Sequence, residues 1–366
     1  MNSPSIAFTL TGILEFVVAL AVLIILHELG HFLVARLLKV EVEEFGIGFP
    51  PRILTLFKAG GTVFSLNAIP LGGFTRPKGE NDPDVPGGLA AASPWVRLGV
   101  LFAGAFMNLV LGVLLFAIIF ALIGNIPVTN RVEVLAISPD SPAAASGLQA
   151  GDIITRINDR KITSTDLLRR MVNANLDRPL TLILQRGDQT LSVNVTPRSN
   201  PPAGQGAIGI LMGNPTTQVT WYNMIPAGGV AVYTQGKMLL ELPMRLLQGK
   251  AAPEEGRLVG LKGMFDMYQF VRQTEPYAGV PAVANILYFF ASITISLGIL
   301  NLLPFPALDG GRIIFVLPEI ILRRRVPAEY ENMIHLVGLG ILLLFFLYIN
   351  MQDFINPLVL PKLPYP

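Results

Sequence analysis

Apolar residues gather into four long runs, and between those runs the pattern changes period. The runs cover about 8–37, 96–123, 283–308 and 333–350. Each has roughly the 20 residues needed to cross a hydrocarbon core of about 30 Å as a helix. The third is interrupted by Pro304 and Pro306. Between the first and second runs, 40–45 alternates as a strand does. Gly48-Phe49-Pro50-Pro51 reads as a turn, and 52–57 and 62–68 read as paired strands joined through Gly60-Gly61. Pro70-Leu71-Gly72-Gly73-Phe74 closes the unit. A small sheet over 40–75 is expected, then a loop over 76–94 rich in Pro, Gly and Asp. Between the second and third runs, short alternating and helical stretches predict an α+β domain over 128–213. A connecting segment follows over 214–282. Within it, 224–247 carries apolar residues at helical spacing with Lys237 and Arg245, which suits a helix lying in the membrane interface or one packed on the α+β domain.

Composition supports the membrane reading. Of 366 residues, 52% are hydrophobic and only 14% charged, against about a quarter charged in soluble domains. The net charge of +2 comes without a basic block, which argues against a nucleic-acid partner. Cysteine is absent, so disulfides and thiolate metal ligands are excluded. The N-terminus lacks a basic segment and a small-residue cleavage site, so the first run is expected to be a retained helix rather than a signal peptide.

Lysine and arginine orient the spans. Arg36 at the end of the first run, Lys39, Arg52, Lys58, Arg76 and Lys78 after it, and Arg97 at the start of the second run mark the first connection, and Arg312, Arg323, Arg324 and Arg325 lie between the third and fourth runs. The C-terminal tail carries only Lys362. The positive-inside rule puts both connections in the cytoplasm, and both termini and the 128–213 domain outside.

The candidate chemistry sits inside the first run. His27-Glu28-Leu29-Gly30-His31 holds two of the chain's three histidines. On a helix, positions four apart share a face, so both imidazoles can reach one ion while Glu28 serves as general base. Ionisable groups in an apolar span are functional candidates by default. A hydrolytic zinc needs a third protein ligand and an open position. His335, at the start of the fourth run, is the remaining histidine. Asp309 is the better candidate, because it falls at the end of the third run, at the depth expected for His27 and His31. Pro304 and Pro306 break the helix just before it, freeing carbonyls that must line a cavity or meet protein. Two other classes deserve weight. A non-catalytic membrane scaffold would hold a structural zinc with four protein ligands, and a zinc transporter would need more carboxylates or histidines along the spans.

In the domain outside the membrane, Pro142 starts a short helix, Gly147 stops it, and Gly151-Asp152 turns into a strand over 153–157. A helix over 165–174 and a hairpin of 180–185 with 189–195 follow. The SPAxxxGLxxGDxI stretch that starts at Ser141 resembles a PDZ domain, of the circularly permuted bacterial type. That resemblance implies capture of a peptide or substrate C-terminus by strand addition, with Gly206-Ala207-Ile208-Gly209-Ile210 as the carboxylate loop. A steric gate that binds no peptide is the competing role.

Together, HELGH in the first span, NxxPxPxLDGGR over 301–312 and the PDZ-like domain resemble the site-2 protease family of intramembrane zinc metalloproteases, bacterial type. The GFPP…IPLGGF stretch also resembles this family's membrane-associated sheet. The resemblance implies a polytopic α-helical membrane protein with four transmembrane helices, a small cytoplasmic β-sheet and an extracytoplasmic α+β PDZ domain. It implies that His27, His31 and Asp309 bind Zn2+, that Glu28 is the catalytic base, and that Asn301 orients substrate or stabilises the transition state. Gly104-Ala105-Phe106-Met107-Asn108 resembles the family's second-span motif. The implied partners are the lipid bilayer and single-span membrane proteins, such as anti-sigma factors already trimmed outside, or remnant signal peptides.

Overall fold

The structure, a computed structural model, describes residues 6–202, 204–251, 253–274 and 280–358; Lys362 lies outside them. Contacts divide the chain into two compact units, one formed by Met1–Ile123 with Trp221–Pro366 and the other by Gly124–Thr220.

In chain order the elements begin with helix α1 (Ile6–Leu37), strands β1 (Val42–Ala59) and β2 (Thr62–Pro77), and helix α2 (Pro94–Ile123). The second unit holds β3 (Asn125–Pro127), β4 (Val132–Ile137), α3 (Pro142–Ala145), β5 (Ile153–Ile157), β6 (Arg160–Lys161), α4 (Thr165–Asn173), β7 (Leu180–Arg186), β8 (Gln189–Val195), β9 (Ile210–Gly213) and β10 (Thr216–Gln218). The chain then returns through α5 (Met224–Leu247), α6 (Leu261–Gln273), α7 (Ala282–Asn301), α8 (Asp309–Leu322) and α9 (Ala328–Ile355).

Among the described residues, four helices are long and apolar enough to cross a membrane: Leu10–Leu37 of α1, α2, α7 and α9. The protein is a multi-pass membrane protein. The third span is shorter than the apolar run of 283–308. It ends at Asn301, because the segment holding Pro304 and Pro306 cannot continue the hydrogen-bond ladder, and helix resumes as α8 at Asp309. The fourth span is longer than 333–350 and starts at Ala328. Its first turn carries Glu329 and Glu331, and acidic residues there complement the helix dipole. Among the described residues, the connection over 214–282 contains two α-helices rather than one. The first, α5, packs along α2 and α7. Gly228 lets it approach so closely that a Cβ would strike the carbonyl of Val113, and Gly236 meets Ile299. The second, α6, is held at its start by Asp353 of α9, whose Oδ2 accepts from the amides of Gly260 (2.8 Å) and Gly263 (2.9 Å).

The sheet after α1 is one long antiparallel pair with several register shifts. Residues 44–47 of β1 are flanked on both sides by β2: Gly46 faces Phe74 on one side and Ser65 on the other. The outer run of β2, 73–77, therefore lies at a sheet edge among the described pairings. Glu44 is buried inside this sheet and accepts from Arg52 Nε (2.9 Å) and Ser65 Oγ (2.7 Å). Burial pushes its carboxyl up, and these donors more than reverse that, leaving it below the ordinary carboxylate value. Arg97, buried at the start of α2, pairs with Glu319 of α8 (2.7 Å) and Glu331 of α9 (3.8 Å). This network ties three helix ends together beside the sheet connection.

The second unit is built on one sheet in the order β8-β7-β5-β4-β9, with β6 paired to β5. Val132, Val134, Ile154, Ile157, Leu168, Leu182 and Leu184 fill its core. The unit is wider than 128–213 at both ends, because β3 pairs with β10 and closes its base. Gly206 to Ile210 does not form an open loop throughout: Ala207 and Ile208 are buried in the core, and Ala143 N donates to Ile208 O (3.0 Å).

Candidate metal centre

Two elements deliver one cluster. His27 and His31 lie one turn apart on α1 and share a face; Asp309 is the first residue of α8. His27 Nε2 and His31 Nε2 each stand 3.3 Å from Asp309 Oδ2 and 3.2 Å from one another. Among the described residues this is the one group of three or more such side chains whose ligand atoms all converge within 4.8 Å. His335 is not part of it. Its Nδ1 accepts from the amide of Ala307 (2.9 Å) and its ring packs on Phe315.

The cluster fits a metal ion on its own chemistry. His31 Nδ1 is 2.7 Å from the carbonyl of Val100, so that nitrogen must carry the proton and Nε2 presents a lone pair. Asp309 Oδ2 is buried without a hydrogen-bond partner. Lone pairs meeting at this range repel unless a cation sits among them. Space is kept beside them by Gly104 of α2, where a Cβ would strike His31 Nε2 and lie 2.7 Å from His27 Nε2. One turn along α2, Asn108 Nδ2 lies 3.1 Å from His27 Nδ1, and its Oδ1 is buried and unpaired. Turning that amide over lets Oδ1 accept from Nδ1–H and frees the Nε2 lone pair of His27 as well.

A cavity of about 550 Å³ opens onto the cluster, lined by His27, Glu28, His31, Asn108, Asn301 and Asp309. The edge run of β2 forms a further wall through Gly73, Phe74, Thr75, Arg76 and Pro77. Thr75 Oγ1 donates to the carbonyl of Glu28 (2.9 Å), and a Cβ at Gly73 would come into contact with the Glu28 side chain. Glu80 and Arg312, also in the lining, pair with each other. Sequence reasoning did not single out Thr75 or the Val100 carbonyl. Thr75 falls at the end of the sheet expected over 40–75, with nothing in the sequence to say which helix it meets, and a backbone carbonyl leaves no mark in the sequence at all.

Delivery of Asp309 depends on the break between α7 and α8. Gly310 and Gly311 pack so closely under the turn that a Cβ on either would strike the carbonyl of Leu302 or Phe305. Ala307 has φ +77°, a left-handed conformation that disfavours any residue with a Cβ.

With this geometry, relatedness decides the class. The model of peptidase family M50 matches residues 15–345. The chain belongs to peptidase family M50, the site-2 proteases. CPE1693 of Clostridium perfringens is 32% identical over 347 residues, covering 93% of this chain and 98% of that protein. Zinc metalloprotease RasP of Oceanobacillus iheyensis is 26% identical over 434 residues, covering 94% and 99%. The PDZ domain of an SdrC-like protein from Listeria monocytogenes is similar at 23% identity, covering 23% of this chain and 90% of that structure, with a TM-score of 0.21. As a member of family M50 the protein is a zinc metalloprotease of the site-2 type, embedded in a lipid bilayer and acting on membrane-embedded substrates. Membership sets aside the non-catalytic scaffold with a structural zinc.

Proposed function

We propose that His27, His31 and Asp309 hold the zinc and that Glu28 is the catalytic base for hydrolysis of peptide bonds in transmembrane segments. The observation that carries this is the convergence of two Nε2 lone pairs and one unpartnered carboxylate oxygen in a cavity that also contains Glu28. Three protein ligands leave a position open, as in hydrolytic sites. Zinc bound there supplies Lewis-acid chemistry, acidifying water and polarising a peptide carbonyl.

The chain's own residues do the rest. Glu28 takes a proton from the attacking water and passes it to the leaving amine. Asn301, in the cavity lining at the end of α7, offers an amide donor to the carbonyl oxygen as charge develops on it. A transmembrane helix hides its peptide bonds in its own hydrogen bonds, so it must unwind to be cut. The edge run of β2 beside Glu28 supports a replacement for those bonds, by pairing with the unwound substrate as an added strand.

The lysine and arginine bias supports a metal centre toward the cytoplasm and a Gly124–Thr220 unit outside. In that arrangement the outer unit acts as a PDZ domain that recognises or filters substrate ends. The activity is then the second cut of regulated intramembrane proteolysis, on single-span regulators such as anti-sigma factors after a first cut outside, or on remnant signal peptides. The test is Glu28→Gln. Purified protein is expected to keep stoichiometric zinc and to lose cleavage by at least about a hundredfold, with an already shortened membrane protein accumulating in cells. Cleavage at the wild-type rate would overturn the assignment of the base.

A further inference from the structure

α9 is the most exposed of the four spans, yet His335 and Gly338, three residues apart on its inward face, both touch the turn before α8. We infer that His335 is a positioning residue for Asp309: its Nδ1 holds the left-handed turn at Ala307, and Gly338 seats α9 against Pro306. The inference rests on reading Asp309 as a zinc ligand.

Within the break, Phe305 N bonds to Leu303 O and Leu308 N to Phe305 O. The Ala307 amide is satisfied from outside, by an imidazole on another helix. Its φ of +77° is one that an alanine keeps only when its surroundings hold it. The bond to His335 supplies that hold. Nδ1 accepts here, so the ring is neutral with its proton on Nε2. Gly338 adds close contact: a Cβ there would strike the Pro306 ring and lie 2.9 Å from the Pro306 carbonyl. Asp309 follows two residues later, and its Oδ2 must stand within reach of both imidazoles. Side chains that bind a metal lose their function with displacements of about 1 Å, so any release of the turn is felt at the metal.

The experiment compares full-length wild type, His335→Leu, His335→Asn, Gly338→Ala and Asp309→Asn. Zinc affinity is read by competition with a chelator, and amide exchange of 302–308 is read in zinc-free protein. His335→Leu and Gly338→Ala are expected to weaken zinc about 10- to 100-fold. His335→Asn, whose Oδ1 can take the place of Nδ1, is expected to stay near wild type. The Ala307 amide is expected to be protected in wild type and His335→Asn, and exposed in His335→Leu. Wild-type zinc affinity in folded His335→Leu overturns the inference, and so does a freely exchanging Ala307 amide in wild type. If His335→Leu fails to fold, Gly338→Ala and the comparison of wild type with His335→Asn give the same decision. If Asp309→Asn binds zinc like wild type, the ligand reading fails. If Asp309→Asn loses zinc while His335→Leu keeps it, the inference alone fails.

Discussion

Oδ2 of Asp309 stands 3.3 Å from Nε2 of His31, although one residue opens α8 and the other lies in the second half of α1. The same oxygen is as far from Nε2 of His27. Nothing in local helix formation demands this meeting. It follows from breaking the third span at Asn301 and restarting helix at Asp309.

Asp309→Asn should therefore separate folding from metal binding. The amide fills the same volume but brings no charge and a weaker ligand oxygen. Zinc affinity should fall by more than about a hundredfold, beyond what losing a supporting residue costs. Zinc content by metal analysis after purification checks it. Chelation of wild type should abolish cleavage, and added zinc should restore it in wild type only.

Gly104→Ala should have the same effect from a different helix. The added Cβ falls against both Nε2 atoms, where the ion belongs, rather than in the packing between helices. Helix propensity favours alanine by about 1 kcal/mol, so α2 should form at least as well. Loss of zinc with retained thermal stability of the metal-free protein is the expected result. Full zinc occupancy in the variant would show that the ion sits elsewhere.

Asn108 supplies the support for His27 that the Val100 carbonyl gives to His31. Asn108→Leu keeps the volume and removes the acceptor, which should cost about 10- to 100-fold in zinc affinity. Asn108→Asp keeps an oxygen for Nδ1–H and should recover most of it. Equal affinities in the two variants would mean that Asn108 only fills space.

Much of this centre was legible in the chain. The i, i+4 spacing of His27 and His31, the proline break and Asp309 each have a physical signature, and apolar run length gave four spans. What was not legible is where separate elements dock. The 224–247 stretch reads equally well as interfacial or as packed on the α+β domain, whereas α5 lies along α2 and α7, a close approach that Gly228 and Gly236 permit. As the remaining histidine, at the start of an apolar span, His335 invites reading as a ligand. Its partner is a backbone amide, which no side-chain pattern reveals. Hydropathy carries the third run to Leu308, past Asn301, the last residue of the helix.

In the Gly124–Thr220 unit, Asp152 is the buried acid of the GDxI stretch. It accepts from Arg186 Nε and Nη2, both at 2.7 Å, and from Gln149 N at 2.8 Å. Burial pushes its carboxyl up, but these donors outweigh burial and hold it below the ordinary 3.8. A carboxyl lowered on folding contributes stability above its unfolded value, and that contribution is lost as pH falls through the folded value. The wild-type unit should thus lose stability below about pH 4. Arg186→Leu reverses the sign. Burial then dominates, the folded value rises above the unfolded one, and the variant pays most at neutral pH. With the guanidinium partly exposed, the cost at pH 7 is expected to be smaller than for a fully buried pair. Hydrogen exchange of the unit in the intact protein, at pH 7 and pH 5, checks it. The gap between wild type and variant should narrow at the lower pH, and Asp152→Asn added to Arg186→Leu should narrow it at pH 7. A gap that stays the same at both pH values would mean that Arg186 acts through packing of its aliphatic stem and not through the carboxylate.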